Sequence, residues 1–188
     1  MEREGGRLAD RFRNRLMIPI ARDSGSVVAF GGRALDQGQV PKYLNSPETP
    51  IYTKGRTLYG LDVTKAAVRK HNYCVLVEGY FDLAQVWQAG IHPVVASCGT
   101  ALTNAQARML KRFTSKVVLS FDPDAAGQGA ATRSSELLVA EGFQVNVALL
   151  PEGSDPDTFV RQSGGRAYVE RLTGSQPFHL MRNVGESL

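Results

Sequence analysis

The chain has 188 residues, 43% of them hydrophobic and 21% charged, which fits one globular domain with at most a small companion. Lys and Arg number 22 against 18 Asp and Glu, a formal charge of +4 that points only weakly to a polyanionic partner. No apolar run reaches membrane-spanning length and residues 1–10 lack a signal-peptide core, so the chain is expected in the cytoplasm, away from membranes. The two cysteines, Cys74 and Cys98, lack metal-ligand spacing and give neither a zinc site nor a disulfide framework. Cys74, inside an apolar run, reads as a small core hydrophobe.

In chain order, residues 15–20 and 26–33 are short apolar runs around Arg22-Asp23-Ser24-Gly25, a sequence suited to a turn, which predicts a β-hairpin. A loop rich in Gly, Gln and Pro follows, and residues 42–60 hold few helix signals. From about Leu61 the pattern alternates. Strands are predicted at 73–77, 93–97, 116–121 and 143–150. Helices are predicted at 81–89, closed by Gly90, at 103–113, capped by Thr103, and at 128–141, closed by Gly142. A short helix is expected from about Pro156 and another at 166–172. Strands alternating with helices predict an α/β fold with a mainly parallel sheet flanked by helices. A small mixed N-terminal subdomain would precede it.

The acids fall in a pattern. Glu78 ends one apolar strand, Asp122 ends another with Asp124 two residues on, and Asp155 and Asp157 follow a third. In a parallel sheet all strand C-termini lie at one edge, where ligands bind. Carboxylates gathered there repel one another, and hard divalent cations compensate them, binding oxygen and sharing phosphate oxygens with a substrate. Each acid taken singly has a plainer reading as a helix N-cap or loop residue. Asp82, four residues after Glu78, suits either the same cleft or the dipole of the following helix. Gly79 and Gly127 would let backbone approach an ion or phosphate, or simply serve strand-to-helix turns. His71, His92 and His179 are scattered and read as structural or surface residues.

Glu78-Gly79-Tyr80-Phe81-Asp82 resembles the first acidic motif of Toprim domains, and Asp122-Pro123-Asp124-Ala125-Ala126-Gly127 their Asp-x-Asp motif. Pro151-Glu152-Gly153-Ser154-Asp155-Pro156-Asp157 resembles the third acidic motif. Toprim domains occur in primases, topoisomerases, nucleases and repair proteins. Further segments resemble the catalytic core of bacterial DnaG-type primases: Phe12 to Ile20, Phe30-Gly31-Gly32-Arg33, Pro41 to Thr49, Lys54 to Leu61 and Ser97 to Thr103.

The resemblance implies a primase core fragment that makes short RNA primers on single-stranded DNA by metal-dependent nucleotidyl transfer. Residues 1–60 would be part of the basic N-terminal subdomain, 61–160 the Toprim domain, and 161–188 the start of a helical subdomain. Catalytic roles fall to Glu78, Asp122 and Asp124, with Asp155, Asp157 and Asp82 joining them as ligands of Mg²⁺, for which Mn²⁺ can substitute. Template and nucleotide contacts fall to Arg33, Lys42, Tyr43, Asn45 and Lys54, and further to Arg13 and Arg15. The implied partners are single-stranded DNA, NTPs and the RNA primer, the protein acting as a monomer. Zinc and the replicative helicase would be met only by flanking domains that this fragment lacks. Asp124→Ala is expected to abolish priming and leave the fold intact, because it relieves acid crowding. Two other classes stay open: a nuclease-type Toprim enzyme, and a non-catalytic nucleotide- or DNA-binding fragment.

Overall fold

A computed structural model describes residues 9–99 and 101–178. His179 and Thr100, part of the sequence reading, lie outside them. So do residues 179–188, the end of the segment expected to open a helical subdomain.

The hairpin forms where the turn sequence placed it. Strands β1 (Arg15–Ala21) and β2 (Val27–Ala34) pair antiparallel. A third strand, β3 (Tyr43–Asn45), adds to β2 with Arg33 opposite Tyr43 and Gly31 opposite Asn45. Ile18, Ile20 and Ala29 form a small core that closes on Tyr52 and Tyr80.

The second sheet is larger. A one-turn 3-10 helix (Lys54–Arg56) leads to α1 (Leu61–His71), then β4 (Cys74–Val77), α2 (Tyr80–Gln88) and β5 (Val94–Ala96). There follow α3 (Asn104–Lys111), β6 (Lys116–Leu119), α4 (Ala125–Ala140), β7 (Gln144–Val147), α5 (Pro156–Thr173) and β8 (Gln176–Pro177). The strand order is β5-β4-β6-β7-β8, parallel except for β8. The α/β architecture with a mainly parallel sheet is therefore present, as the alternation predicted.

Every side chain of β4 is buried, because the sheet is covered on both faces. Cys74 and Leu76 join one core with Leu61 and Val68 of α1, Ala107 and Leu110 of α3, and Leu138 of α4. Val75 and Val77 join the other with Leu83 and Val86 of α2 and Phe159, Val160, Tyr168 and Leu172 of α5. Burial also pushes the Cys74 thiol well above its usual pKa, which suits an inert packing residue.

Several boundaries differ from the sequence reading. Helix α1 was not foreseen: Thr64 occupies a core position and dilutes the apolar periodicity of Leu61 and Val68. Helix α4 begins at Ala125, three residues before the predicted start, because Asp124 caps it. The two expected C-terminal helices run together as α5 and meet at Gly164, whose φ of 81° and ψ of 165° break the helical path.

The chain leaves β4 toward β5 on one side and returns through α3 to β6 on the other. The carboxyl ends of β4 and β6 therefore flank a topological switch point, the place where α/β sheets open a binding crevice.

Candidate active site

Glu78 directly follows β4, and its Oε1 accepts the backbone N–H of Asp122 at 3.2 Å, bridging the ends of β4 and β6. Burial raises the Glu78 carboxyl's pKa, with Asp122 and Asp124 adding to the rise against that hydrogen bond. Asp122 is raised likewise by burial, Asp155 and Asp124. Its Oδ1 is buried and has no hydrogen-bond partner.

Asp124 Oδ1 accepts the Gly127 N–H at 2.7 Å and caps α4. Asp155 Oδ1 accepts the Thr158 N–H at 2.7 Å and caps α5. For these two acids the N-cap reading describes a bond that is present, with one oxygen of each engaged. Asp124→Ala therefore carries a cost the expectation of an intact fold left out, about 0.5–2 kcal/mol for the deleted cap, set against the relief of acid crowding.

Asp82 is only 8% exposed. Its Oδ2 accepts the Gly79 N–H at 2.9 Å and its Oδ1 the Asp157 N–H at 3.2 Å. It thus closes the first turn of α2 and ties it to α5. Burial, with Asp122 and Asp155 beside it, pushes its pKa up to about 6 against those two hydrogen bonds. Asp157 forms an ion pair with Arg161 at 3.7 Å.

Asp122, Asp124 and Asp155 line an open cleft of about 600 Å³ together with Gln128 and Glu152. Glu152 is an acid that sequence reasoning passed over, although it stands inside the third acidic motif. Among the described residues, no three His, Cys, Asp or Glu side chains are gathered as a closed ion cage. The carboxylates are instead spread along the rim, each of Glu78, Asp82, Asp124 and Asp155 fastened to backbone N–H groups. The donor set suits a hard divalent cation: it is all oxygen, mutually repelling, and includes the unpartnered buried Asp122 Oδ1.

The basic residues divide. Arg33 on β2, Tyr43 and Asn45 on β3, and Lys42 just before β3 sit together against the start of α2. The Arg33 guanidinium lies 4.3 Å from the Phe81 ring centre and 5.9 Å from that of Tyr43. Lys42 Nζ lies 5.9 Å from the same tyrosine ring. The Tyr80 hydroxyl donates to Asn45 Oδ1 at 2.9 Å, and Arg11 donates to the Asn45 carbonyl at 2.7 Å. Burial raises the Tyr43 pKa; Arg33 opposes this, while Asp82, Asp157 and Asp155 add to it, so the patch lies within electrostatic reach of the acids. Tyr80, Phe81 and Arg11 belong to this junction and were not singled out from sequence. Tyr80 and Phe81 stand inside the first acidic motif, which was a usable signal.

Arg15 is elsewhere occupied: it donates to the carbonyls of Gly32 at 3.2 Å and Lys42 at 3.4 Å, lacing the small sheet. Arg13 is exposed on the loop before β1, where its carbonyl accepts from Gln39. Lys54 opens the 3-10 helix beside α3, its N–H bonded to Glu48 and its carbonyl accepting from Gln106. His71 and His92 are exposed, which takes the surface side of their reading as structural or surface residues.

A parallel sheet with carboxylates at its switch point, joined to a basic antiparallel sheet, defines a Toprim-type catalytic domain with an N-terminal companion. Residues 1–65 match the family model described as DNA primase catalytic core, N-terminal domain, and residues 75–160 the Toprim-like model. A DNA primase of Halalkalibacterium halodurans is 47% identical over 175 residues, 93% of this chain and 29% of that protein. The Escherichia coli primase catalytic core superposes with a TM-score of 0.90 at 40% identity, covering 100% of this chain and 61% of the other. A DnaG primase catalytic domain bound to single-stranded DNA gives 0.87 at 42% identity, covering 94% and 58%. The chain belongs to the family of DnaG-type primase catalytic cores. It spans less than a third of the length of the Halalkalibacterium primase. Among the described residues, no helix is long and apolar enough to cross a membrane.

Proposed function

We propose that this chain is the nucleotidyl-transfer centre of a primase, joining ribonucleotides into short RNA primers on a single-stranded DNA template. The observation that carries the reading is the buried, unpartnered Asp122 Oδ1 beside Glu78, at the switch point of a primase-type fold. Glu78, Asp122 and Asp124 would hold divalent ions, Mg²⁺ or Mn²⁺, with Asp155, Asp157 and Asp82 contributing from the rim. Such ions, when bound, neutralise phosphate charge and orient the attacking and leaving oxygens. The protein's own part is positioning. The Glu78–Asp122 bond fixes the two strand ends relative to each other, and Asp82 holds α2 and α5 at a set spacing. The scheme divides the chain into a basic N-terminal part at 1–60, the Toprim part at 61–160 and the start of a further part at 161–188, acting as a monomer. A replicative helicase would meet it through another region of the whole protein.

Template strands would run over Arg33, Lys42, Tyr43 and Asn45, with Lys54, Arg13 and Arg15 farther along. Cations there meet phosphates and Tyr43 offers a ring for stacking. The neighbour solved with single-stranded DNA supports a DNA-binding role for this fold. Lys42→Ala is expected to weaken binding to single-stranded DNA and to flatten the plot of log affinity against log salt by about 0.7. Fluorescence anisotropy across a salt series checks this; an unchanged slope removes Lys42 from the template path.

The same site sets a pH dependence. The Asp82 pKa is raised from 3.8 to about 6, so the folded state holds this proton more tightly than the unfolded chain. Its charge therefore costs stability above about pH 6, and the cost fades as pH falls toward 4. A divalent ion offsets that cost only while the carboxyls are ionised. The rise in Tm on adding Mg²⁺ or Mn²⁺ is expected to be large at pH 7–8 and small at pH 5. A rise equal at both pH values, read by calorimetry, contradicts the assignment.

The direct test of function is primer synthesis from NTPs on single-stranded DNA with Mg²⁺ or Mn²⁺. Template-dependent RNA products are expected. DNA cleavage without NTPs would instead indicate nuclease chemistry.

A further inference from the structure

Asp122 lines an outer space and Glu78 an inner one, and the two differ in character. The outer cleft, lined by Asp122, Asp124, Glu152 and Asp155, has no Lys or Arg among its described lining residues. The inner one, about 320 Å³, is lined by Glu78, Ser97, Phe121, Ala130, Arg133 and Ser134 among others, and Arg133 is the only cation among its described lining residues. Ala130, Arg133, Ser134 and Leu137 form one face of α4, at helical spacing.

Two features mark Arg133. It makes no ion pair with Glu78 or any other acid among the described residues. Its guanidinium also lies back along α4 toward the N-terminus: a Cβ at Gly129, one turn earlier, would stand 3.2 Å from Arg133 Nη1. Gly129 thus leaves room for the guanidinium to lie against the helix, pointing to the end where Asp122 and Glu78 stand. An unpaired guanidinium sharing a pocket with a metal-type carboxylate fits a ligand that ions grip on one side and a cation on the other. That ligand is a polyphosphate.

We infer that Arg133 binds the β- and γ-phosphates of the incoming NTP in the pocket between α4 and the loop at Ser97, and is a positioning residue for the pyrophosphate leaving group. This deepens the primer-synthesis reading and rests on it. In that reaction the primer 3′-hydroxyl oxygen bonds to the α-phosphorus and gives its proton to solvent. The bond from the α-phosphorus to the bridging oxygen breaks, and its electron pair leaves on pyrophosphate. A planar guanidinium bonded to that group stabilises the charge as it develops.

The test uses this chain and its Arg133→Ala, Arg133→Lys and Gly129→Ala variants. In primer synthesis, Arg133→Ala is expected to raise the NTP KM on the order of ten- to hundredfold, the weight of one charge-assisted bond. Affinity for single-stranded DNA should stay within about twofold. Arg133→Lys should recover part of the loss. Gly129→Ala should raise the KM while raising the thermal midpoint, because alanine favours a helix interior. An unmoved KM in Arg133→Ala overturns the inference. So does a loss of template affinity in place of NTP affinity, which would give the cation to the DNA backbone. Calorimetry with inorganic pyrophosphate and Mn²⁺ separates this inference from the reading beneath it. If wild type makes no RNA yet binds pyrophosphate, and Arg133→Ala does not, the pocket stands and the primer reading falls. If wild type makes RNA and both proteins bind pyrophosphate equally, the primer reading stands and the pocket falls.

Discussion

Glu78→Gln is expected to reduce primer synthesis by a factor on the order of 10²–10³ or more while leaving the protein folded. Glutamine keeps a carbonyl oxygen to accept the Asp122 N–H, so the bridge between β4 and β6 can persist. What is lost is a negative charge in a site where Asp122 and Asp124 already raise the Glu78 pKa. Removing it relieves repulsion in the metal-free protein, so the thermal midpoint should hold or rise, and the stabilisation by Mg²⁺ or Mn²⁺ should shrink. Asp124→Ala makes an informative contrast. It too should lose activity, but with a loss of stability, because the cap on α4 goes with the carboxylate. Gel-resolved RNA products and thermal melts with and without Mn²⁺ separate the cases. A Glu78→Gln variant with full activity would remove Glu78 from the metal centre.

Gly127→Ala is expected to be the most damaging single methyl group near the site. A Cβ there would stand 2.2 Å from the Asp122 carbonyl oxygen, 2.9 Å from its carbon and 3.1 Å from Glu78 Oε1. The first two are backbone atoms and cannot rotate away, so either the Asp122 loop or the first turn of α4 must shift. Such overpacking costs about 1–3 kcal/mol or more. The shift would also disturb the Asp124 cap, made to the Gly127 N–H, and the Glu78–Asp122 bridge. Activity should therefore fall together with stability, unlike the Glu78→Gln case. Chemical denaturation gives the stability change; a loss below about 0.5 kcal/mol would mean the loop has room that the geometry denies. The sequence left Gly127 two readings, close approach of backbone to an ion or phosphate or a strand-to-helix turn, and the contact seen belongs to the turn. The partner is the Asp122 carbonyl.

The elements that sequence made legible are those whose own chemistry fixes them. The hairpin was set by Arg22-Asp23-Ser24-Gly25, and Gly25 takes a φ of 94°. The capping box of α3 was set by Thr103, with Gln106 completing it. β4 showed as an unbroken apolar run because both its faces are covered. Strand β3 was hidden: three residues between Pro41 and Pro47 have no strand pattern of their own, and pairing with Gly31 to Arg33 of β2 creates it. Strand β8 has two residues and exists through its pairing with β7.

The candidate site divides the same way. Alternating strands and helices, with acids after the strands, were enough to place Glu78, Asp122 and Asp155 at one edge of a parallel sheet, because side-chain period and crossover handedness leave little choice. Only the tertiary structure decided what each carboxylate touches. Asp124 and Asp155 turn one oxygen to their own helices, Asp82 joins α2 to α5, and Asp122 alone of these acids keeps a buried oxygen without a partner. The basic residues likewise looked alike in sequence. Folding spent Arg15 on backbone carbonyls and left Arg33 and Lys42 on the face beside Tyr43. Sequence sets which charges are present and on which element; hydrogen bonding across elements distant in the chain sets which of them remain available to a ligand.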